Sequence, residues 1–73
     1  MQAVSLELRP DREGGWVLRS TNGGMSPAHF TSRRDAEVEA AAYLVRDGGE
    51  GELLVFDAQG RVQEAKRWNS NSP

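Results

Sequence analysis

Apolar and polar residues alternate at the start of the chain. Val4, Leu6 and Leu8 share one parity, with polar residues between them, and this period of two is typical of a strand with one buried face. The polar segment 11–15 ends in two glycines, which suits a hairpin connection. Trp16 to about Ser20 then predicts the second strand of the hairpin.

A tight turn and a short third strand are predicted next. Asn22 and Gly23 both tolerate positive φ, so this pair is a strong turn signal. The segment from Met25 to Phe30 predicts a third strand. Pro27 confines that strand to a sheet edge or turns it into irregular chain, because proline cannot donate to a strand ladder.

One helix follows, from Arg33 to about Asp47. Ser32 is a good N-cap, and the segment is rich in alanine, glutamate and arginine, which favour helices. The glycines at 48 and 49 predict its end. At helical spacing four residues share one arc, which we expect to face the sheet: Ala36, Ala40, Tyr43 and Leu44.

The last third of the chain predicts a second hairpin, with strands from Glu52 to Phe56 and from Arg61 to Trp68 around a four-residue turn with a bulge at Gly60. Residues 53–56 are apolar at both parities, so this strand is central or its outward face is covered. Residues 69–73 are polar and predict a disordered tail.

The element order β-β-(β)-α-β-β predicts an α+β fold, an antiparallel sheet of four to five strands with one helix packed on one face. We expect one domain over residues 1–68. The register of the last strand stays open, because Val62 and Ala65 have opposite parity. The predicted core is Val4, Leu6, Leu8, Trp16, Leu18, Phe30, Ala36, Ala40, Tyr43, Leu44, Leu53, Val55 and Val62.

Composition excludes several classes of protein. The 73 residues include no cysteine and one histidine, which leaves no disulfide framework and no thiolate or histidine-rich zinc site. Nine basic and eleven acidic residues give a net charge of −2 without charged blocks, so no overall basic surface for nucleic acid is present. No apolar run approaches the roughly 18 residues of a membrane span, and the first residues lack a signal-peptide pattern. We expect a cytoplasmic protein without membrane contact.

The sequence contains few of the residue patterns that are typical of an active site. His29 precedes the helix, where an acid such as Asp35 could pair with it, but no nucleophile elbow accompanies it. The glycine-rich segment 48–51 follows a helix, whereas a phosphate-binding loop follows a strand and opens a helix. We therefore predict no enzymatic activity, no catalytic residues, no metal and no cofactor.

Several short motifs resemble a known family. The likeness covers roughly Leu6 to Trp68 and concerns the small bacterial domain-of-unknown-function family numbered twenty-one eighty-eight, whose members carry a GW strand, a phenylalanine before the helix cap and a D-x-x-G-[KR] hairpin. The segment 31–34 is one residue longer than usual before the helix acid, and Trp68 stands where another aromatic is common. The resemblance implies a compact α+β module and brings no established activity. The motifs are Gly14-Gly15-Trp16-Val17-Leu18, His29-Phe30-Thr31, Asp35-Ala36, Glu52-Leu53-Leu54-Val55-Phe56-Asp57 and Gly60-Arg61-Val62.

Apolar residues are predicted on both sides of the sheet and on the outer helix face, and we therefore expect an interaction module that forms a homodimer or binds another protein. The interface candidates are Val38, Ala42, Val45, Leu54 and Phe56. Which of the two faces self-associates stays open. The alternative is a single-stranded nucleic-acid-binding protein that uses the open sheet face for stacking and phosphate contacts. Its candidate residues are Arg19, Phe56, Arg61, Arg67 and Trp68.

Overall fold

The computed structural model describes residues 4–21, 26–46 and 50–68. These residues form five strands and one helix, which confirms the predicted α+β class. In chain order the elements are β1 (Val4–Pro10), β2 (Trp16–Ser20), β3 (Ala28–Phe30), α1 (Arg33–Arg46), β4 (Gly51–Phe56) and β5 (Val62–Trp68).

The strands form one sheet in the order β3-β2-β1-β4-β5. Three neighbouring pairs are antiparallel, but β1 and β4 are parallel, so the expectation of a purely antiparallel sheet was wrong for the central pair. The cause is the crossover. Because β3 runs in the direction of β1 and α1 carries the chain back across one face, β4 enters beside β1 in the same direction.

The helix begins as its capping residues predict. The Ser32 hydroxyl oxygen accepts a hydrogen bond from the backbone N–H of Asp35 at 3.1 Å, which satisfies one of the free donors of the first turn. Ala36, Ala40 and Leu44 are completely buried against the sheet. The predicted end of the helix at residues 47–49 lies outside the described residues.

The core lies between α1 and the sheet. Its buried members come from β1, β2, β4 and α1, and Trp16, Phe30, Tyr43 and Trp68 pack against them. Val62 does not belong to this core, contrary to prediction, and is 52% exposed. A register shift in the β4–β5 pair precedes the partnership of Val62 with Phe56, so Val62 lies on the face away from the helix.

Both predicted hairpins are present. In the first, the Asp11 N–H donates to the Gly15 carbonyl at 3.0 Å. In the second, the Asp57 carboxylate accepts from the N–H groups of Gln59 and Arg61, each at 2.9 Å. Gly60 has a φ of 85°, a left-handed conformation that favours glycine. The turn predicted at Asn22-Gly23 and the tail at residues 69–73 lie outside the described residues.

Candidate interaction surfaces

One face of the sheet is not covered by α1, and we call it the open face. The strand registers place apolar and charged residues of neighbouring strands side by side on this face. The residues of the open face are Ser5, Glu7, Arg9, Val17, Arg19, His29, Glu52, Leu54, Phe56, Val62, Ala65 and Arg67.

Phe56 is the largest apolar side chain of the open face, yet it is only 8% exposed. The guanidinium of Arg9 lies over its ring, with Cζ 3.8 Å from the ring centroid. This geometry is a cation–π contact. The ring of Phe56 is therefore not uncovered, contrary to expectation, because a neighbouring arginine lies over it. Leu54 is half-buried.

The cations of the open face lie beside carboxylates. Glu7 Oε1 accepts a hydrogen bond from Arg9 Nε at 3.2 Å and lies 3.4 Å from Arg19 Nε. Arg67 Nη2 lies 4.0 Å from Glu52 Oε1. These pairs offset most of the positive charge that a nucleic-acid backbone requires.

The residues proposed for nucleic-acid binding do not share one surface. Arg19 and Arg67 lie on the open face, and Arg61 is an exposed residue of the turn before β5. Trp68 lies on the other face: it pairs with Gly51 and packs against the core. Its expected position on the open face was wrong, because the last strand's parity directs it toward α1.

The outer face of α1 carries three apolar residues at successive turns. Val38 and Val45 are 62% and 66% exposed, and Ala42 between them is also exposed. Helical spacing predicted this grouping. We call these three residues the helix stripe.

A second unpartnered feature is the outer edge of β5, which sequence reasoning did not identify. Within the described residues, β4 is the only strand that pairs with β5. Five of the seven residues of β5 are exposed, namely Val62, Gln63, Glu64, Ala65 and Arg67. An edge is defined by sheet order, and the sequence left that order open.

Four charged side chains join β5 to α1. Arg33 Nε donates to Glu37 Oε2 at 2.6 Å, Lys66 Nζ donates to Glu37 Oε1 at 3.2 Å, and an Arg33 Nη2 hydrogen bond reaches Glu64. The Arg33 hydrogen bond, with a smaller contribution from Lys66, lowers the pKa of Glu37 despite its partial burial. The same contact with Glu37 raises the pKa of Arg33. We call these four residues the charge network.

The catalytic and metal-binding residue types are dispersed. His29 Nε2 lies 3.9 Å from Asp11 Oδ2 rather than beside Asp35, and its side chain is exposed. Among the described residues no three His, Asp or Glu side chains group as metal ligands. A shallow groove of about 390 Å³ lies at the strand ends, between Val4 and Trp68, and not beneath the helix. Over the same residues, no helix combines the length and apolar character of a membrane crossing.

Comparison with known proteins gives one match. Neither the curated proteins nor the solved structures contain a significant match to this chain. A family model described as an uncharacterized protein conserved in bacteria (DUF2188) matches residues 6–67, nearly the range over which the sequence motifs resembled that family. Because the match covers most of the chain, the protein belongs to this family of uncharacterized bacterial proteins.

Proposed function

We propose that the protein is a non-enzymatic interaction module that acts as a homodimer. The observation that carries this proposal is the outer edge of β5. This strand is seven residues long, lies at the end of the sheet and pairs only with β4 among the described residues. An unpaired strand edge presents backbone donors and acceptors that a strand from another chain can satisfy.

The two edges of the sheet differ. The opposite edge, β3, has three residues and follows Pro27, and a short strand next to proline is a common way to prevent edge pairing. β5 is more than twice as long. If a strand of another chain is added to this sheet, β5 is the edge with more backbone groups available for hydrogen bonding.

The small size of the chain also supports association. A domain of about 60 residues buries only about 60% of the surface that its unfolded chain exposes, and oligomerisation is one way in which small folds gain stability. Val62, at one end of β5, is 52% exposed. A second chain beside β5 would remove part of this apolar surface from water.

Light scattering coupled to size-exclusion chromatography, run over a dilution series, tests the proposal. We expect a mass of twice the 8.0 kDa chain at high concentration, with a fall toward the monomer mass on dilution. A mass of 8.0 kDa at every concentration, including the highest that stays soluble, would contradict it. Native mass spectrometry of the same samples reports any nucleic acid or protein that co-purifies.

A further inference from the structure

We propose that two copies of this chain pair through antiparallel β5 strands, with the two-fold axis at Ala65, so that the two five-stranded sheets become continuous. This inference rests on the proposed homodimer and adds its interface and register. An interface of this type is isologous, since the same strand contributes from both copies.

Side-chain parity restricts where the axis can lie. In an antiparallel pair, residues directly opposite each other project to the same face of the sheet. Partners in a symmetric pair of identical strands must therefore be an even number of positions apart, which places the axis on a residue and not between two residues. The regular part of β5 begins at Glu64, because the register shift leaves Gln63 without a partner in β4.

Within residues 64–67, charge selects one register among those that parity allows. An axis at Glu64, Lys66 or Arg67 would bring each of these residues opposite its own copy, and like charges directly opposite destabilise a sheet. An axis at Ala65 brings two small side chains together. It also places Glu64 of each copy opposite Lys66 of the other, which gives two attractive pairs of opposite charge.

Glu64 and Lys66 belong to the charge network and are positioned for such a contact. Glu64 and Lys66 lie on the helix-covered face, opposite Val55 and Leu53 of β4. Within the chain, Glu64 contacts Arg33, and Lys66 contacts Glu37. Their side chains remain 45% and 36% exposed, so each keeps accessible surface for a partner in the second copy.

The same features set the strength of the pairing. Across an axis at Ala65, residues 67 and 68 would lie opposite residues 63 and 62, so the bulge limits regular pairing to residues 64–66 of each copy. Bulges and charges on an edge also limit indiscriminate strand addition. We therefore expect a reversible dimer that is specific for this register, rather than an open-ended assembly. In this dimer the β5 edges of both copies are paired with each other, so neither β5 edge is free to bind a third chain.

Charge reversal tests the register. In Glu64→Lys both cross-axis pairs become repulsive, and the same holds for Lys66→Glu. Each variant alone is expected to raise the dimer Kd at least about tenfold. When the two variants are mixed, both cross-axis pairs become attractive again. We expect native mass spectrometry, with one variant labelled with ¹⁵N, to show a heterodimer in preference to either homodimer.

Controls separate this inference from the proposed function. Glu39→Lys makes the same charge change on an exposed helix position and should leave the Kd unchanged. Circular dichroism establishes that each variant is folded; if a reversal unfolds the chain, Glu64→Gln and Lys66→Gln replace it, each weakening the dimer severalfold. A monomeric wild type overturns both proposals. A wild-type dimer whose Kd does not respond to either reversal, or variants that show no preference for each other, overturns the β5 register alone.

Discussion

The guanidinium of Arg9 lies 3.8 Å above the ring centroid of Phe56, on the side of the sheet that α1 does not cover. The two residues occupy neighbouring positions on the parallel strands β1 and β4, one step beyond the pairing of Leu8 with Val55. Phe56 is 8% exposed as a result. A single arginine thus performs, for this ring, the covering role that α1 performs for the other face.

Replacement of Arg9 by alanine should lower the free energy of unfolding by about 0.5 to 2 kcal/mol, because both the cation–π contact and the aliphatic cover of the ring are lost. Arg9→Lys keeps the charge beside Glu7 but removes the guanidinium group that lies over the ring, and should have an intermediate effect. Urea denaturation measures the difference. Arg12→Ala, in the exposed first hairpin loop, serves as the control, and an equal loss for Arg9→Ala and Arg12→Ala would show that the stacking contributes nothing.

Gly51 is a position where a methyl group should be poorly tolerated. It is buried at the start of β4, and a Cβ there would overlap the carbonyl oxygen of Val4 and Cδ2 of Leu44. Since a backbone oxygen cannot move aside, we expect Gly51→Ala to cost about 3 kcal/mol. At Gly14 a Cβ meets no atom within 4 Å, but φ is +92°, so Gly14→Ala should cost only about 1 kcal/mol of backbone strain. Thermal unfolding of both variants tests this order; equal losses would contradict the close packing at Gly51.

Acid should weaken the fold partly through Glu37. Because its folded-state pKa is lowered, chiefly by the Arg33 hydrogen bond, the unfolded chain binds more protons at this site. The resulting stabilisation is fully present above the unfolded pKa of about 4.3 and disappears as the pH falls through the folded-state pKa. Unfolding free energies measured over this acidic range should decline less steeply in Glu37→Gln than in wild type. Glu39→Gln is the control, and a wild-type slope in Glu37→Gln would contradict the assignment.

Single-stranded nucleic acid is not expected to bind with appreciable affinity. The ring of Phe56 is covered by Arg9, Trp68 packs against the core, and Arg19 lies beside Glu7. Fluorescence anisotropy with labelled oligonucleotides at low salt should therefore show little change. Binding that weakens steeply with salt, and that Arg19→Ala or Arg67→Ala reduces, would instead favour the nucleic-acid alternative.

Local signals in the sequence predict most of the elements but not their arrangement. Alternation in β1, the Ser32 cap and the turn at Asp57 each depend on residues close together in the chain, and all three appear as predicted. The parallel pairing of β1 with β4 depends on the path of a crossover, which no local pattern specifies. The cover of Phe56 by Arg9 depends in turn on that pairing.

The last strand also shows that local sequence patterns do not determine which face a residue occupies. One unpaired residue, Gln63, reverses the parity of everything before it, so alternation could not assign Val62 to a face. The β5 edge was missed for a related reason, since a strand becomes an edge only when the order of the whole sheet is known. The side chains predicted as interface candidates were chosen for apolar character, whereas the β5 edge is charged and presents backbone groups.

Cross-linking through an introduced thiol tests the β5 homodimer most directly. The chain contains no cysteine, so Ala65→Cys supplies the only thiol. Across an axis at this residue the two Cα atoms would lie roughly 4.5 to 5.5 Å apart, within the roughly 4.4 to 6.8 Å that a disulfide spans. Ala42→Cys, in the exposed helix stripe, is the matched control. Under mild oxidation we predict rapid formation of a covalent dimer with Ala65→Cys and slow formation with Ala42→Cys; equal rates, or faster cross-linking at Ala42, would contradict pairing through β5.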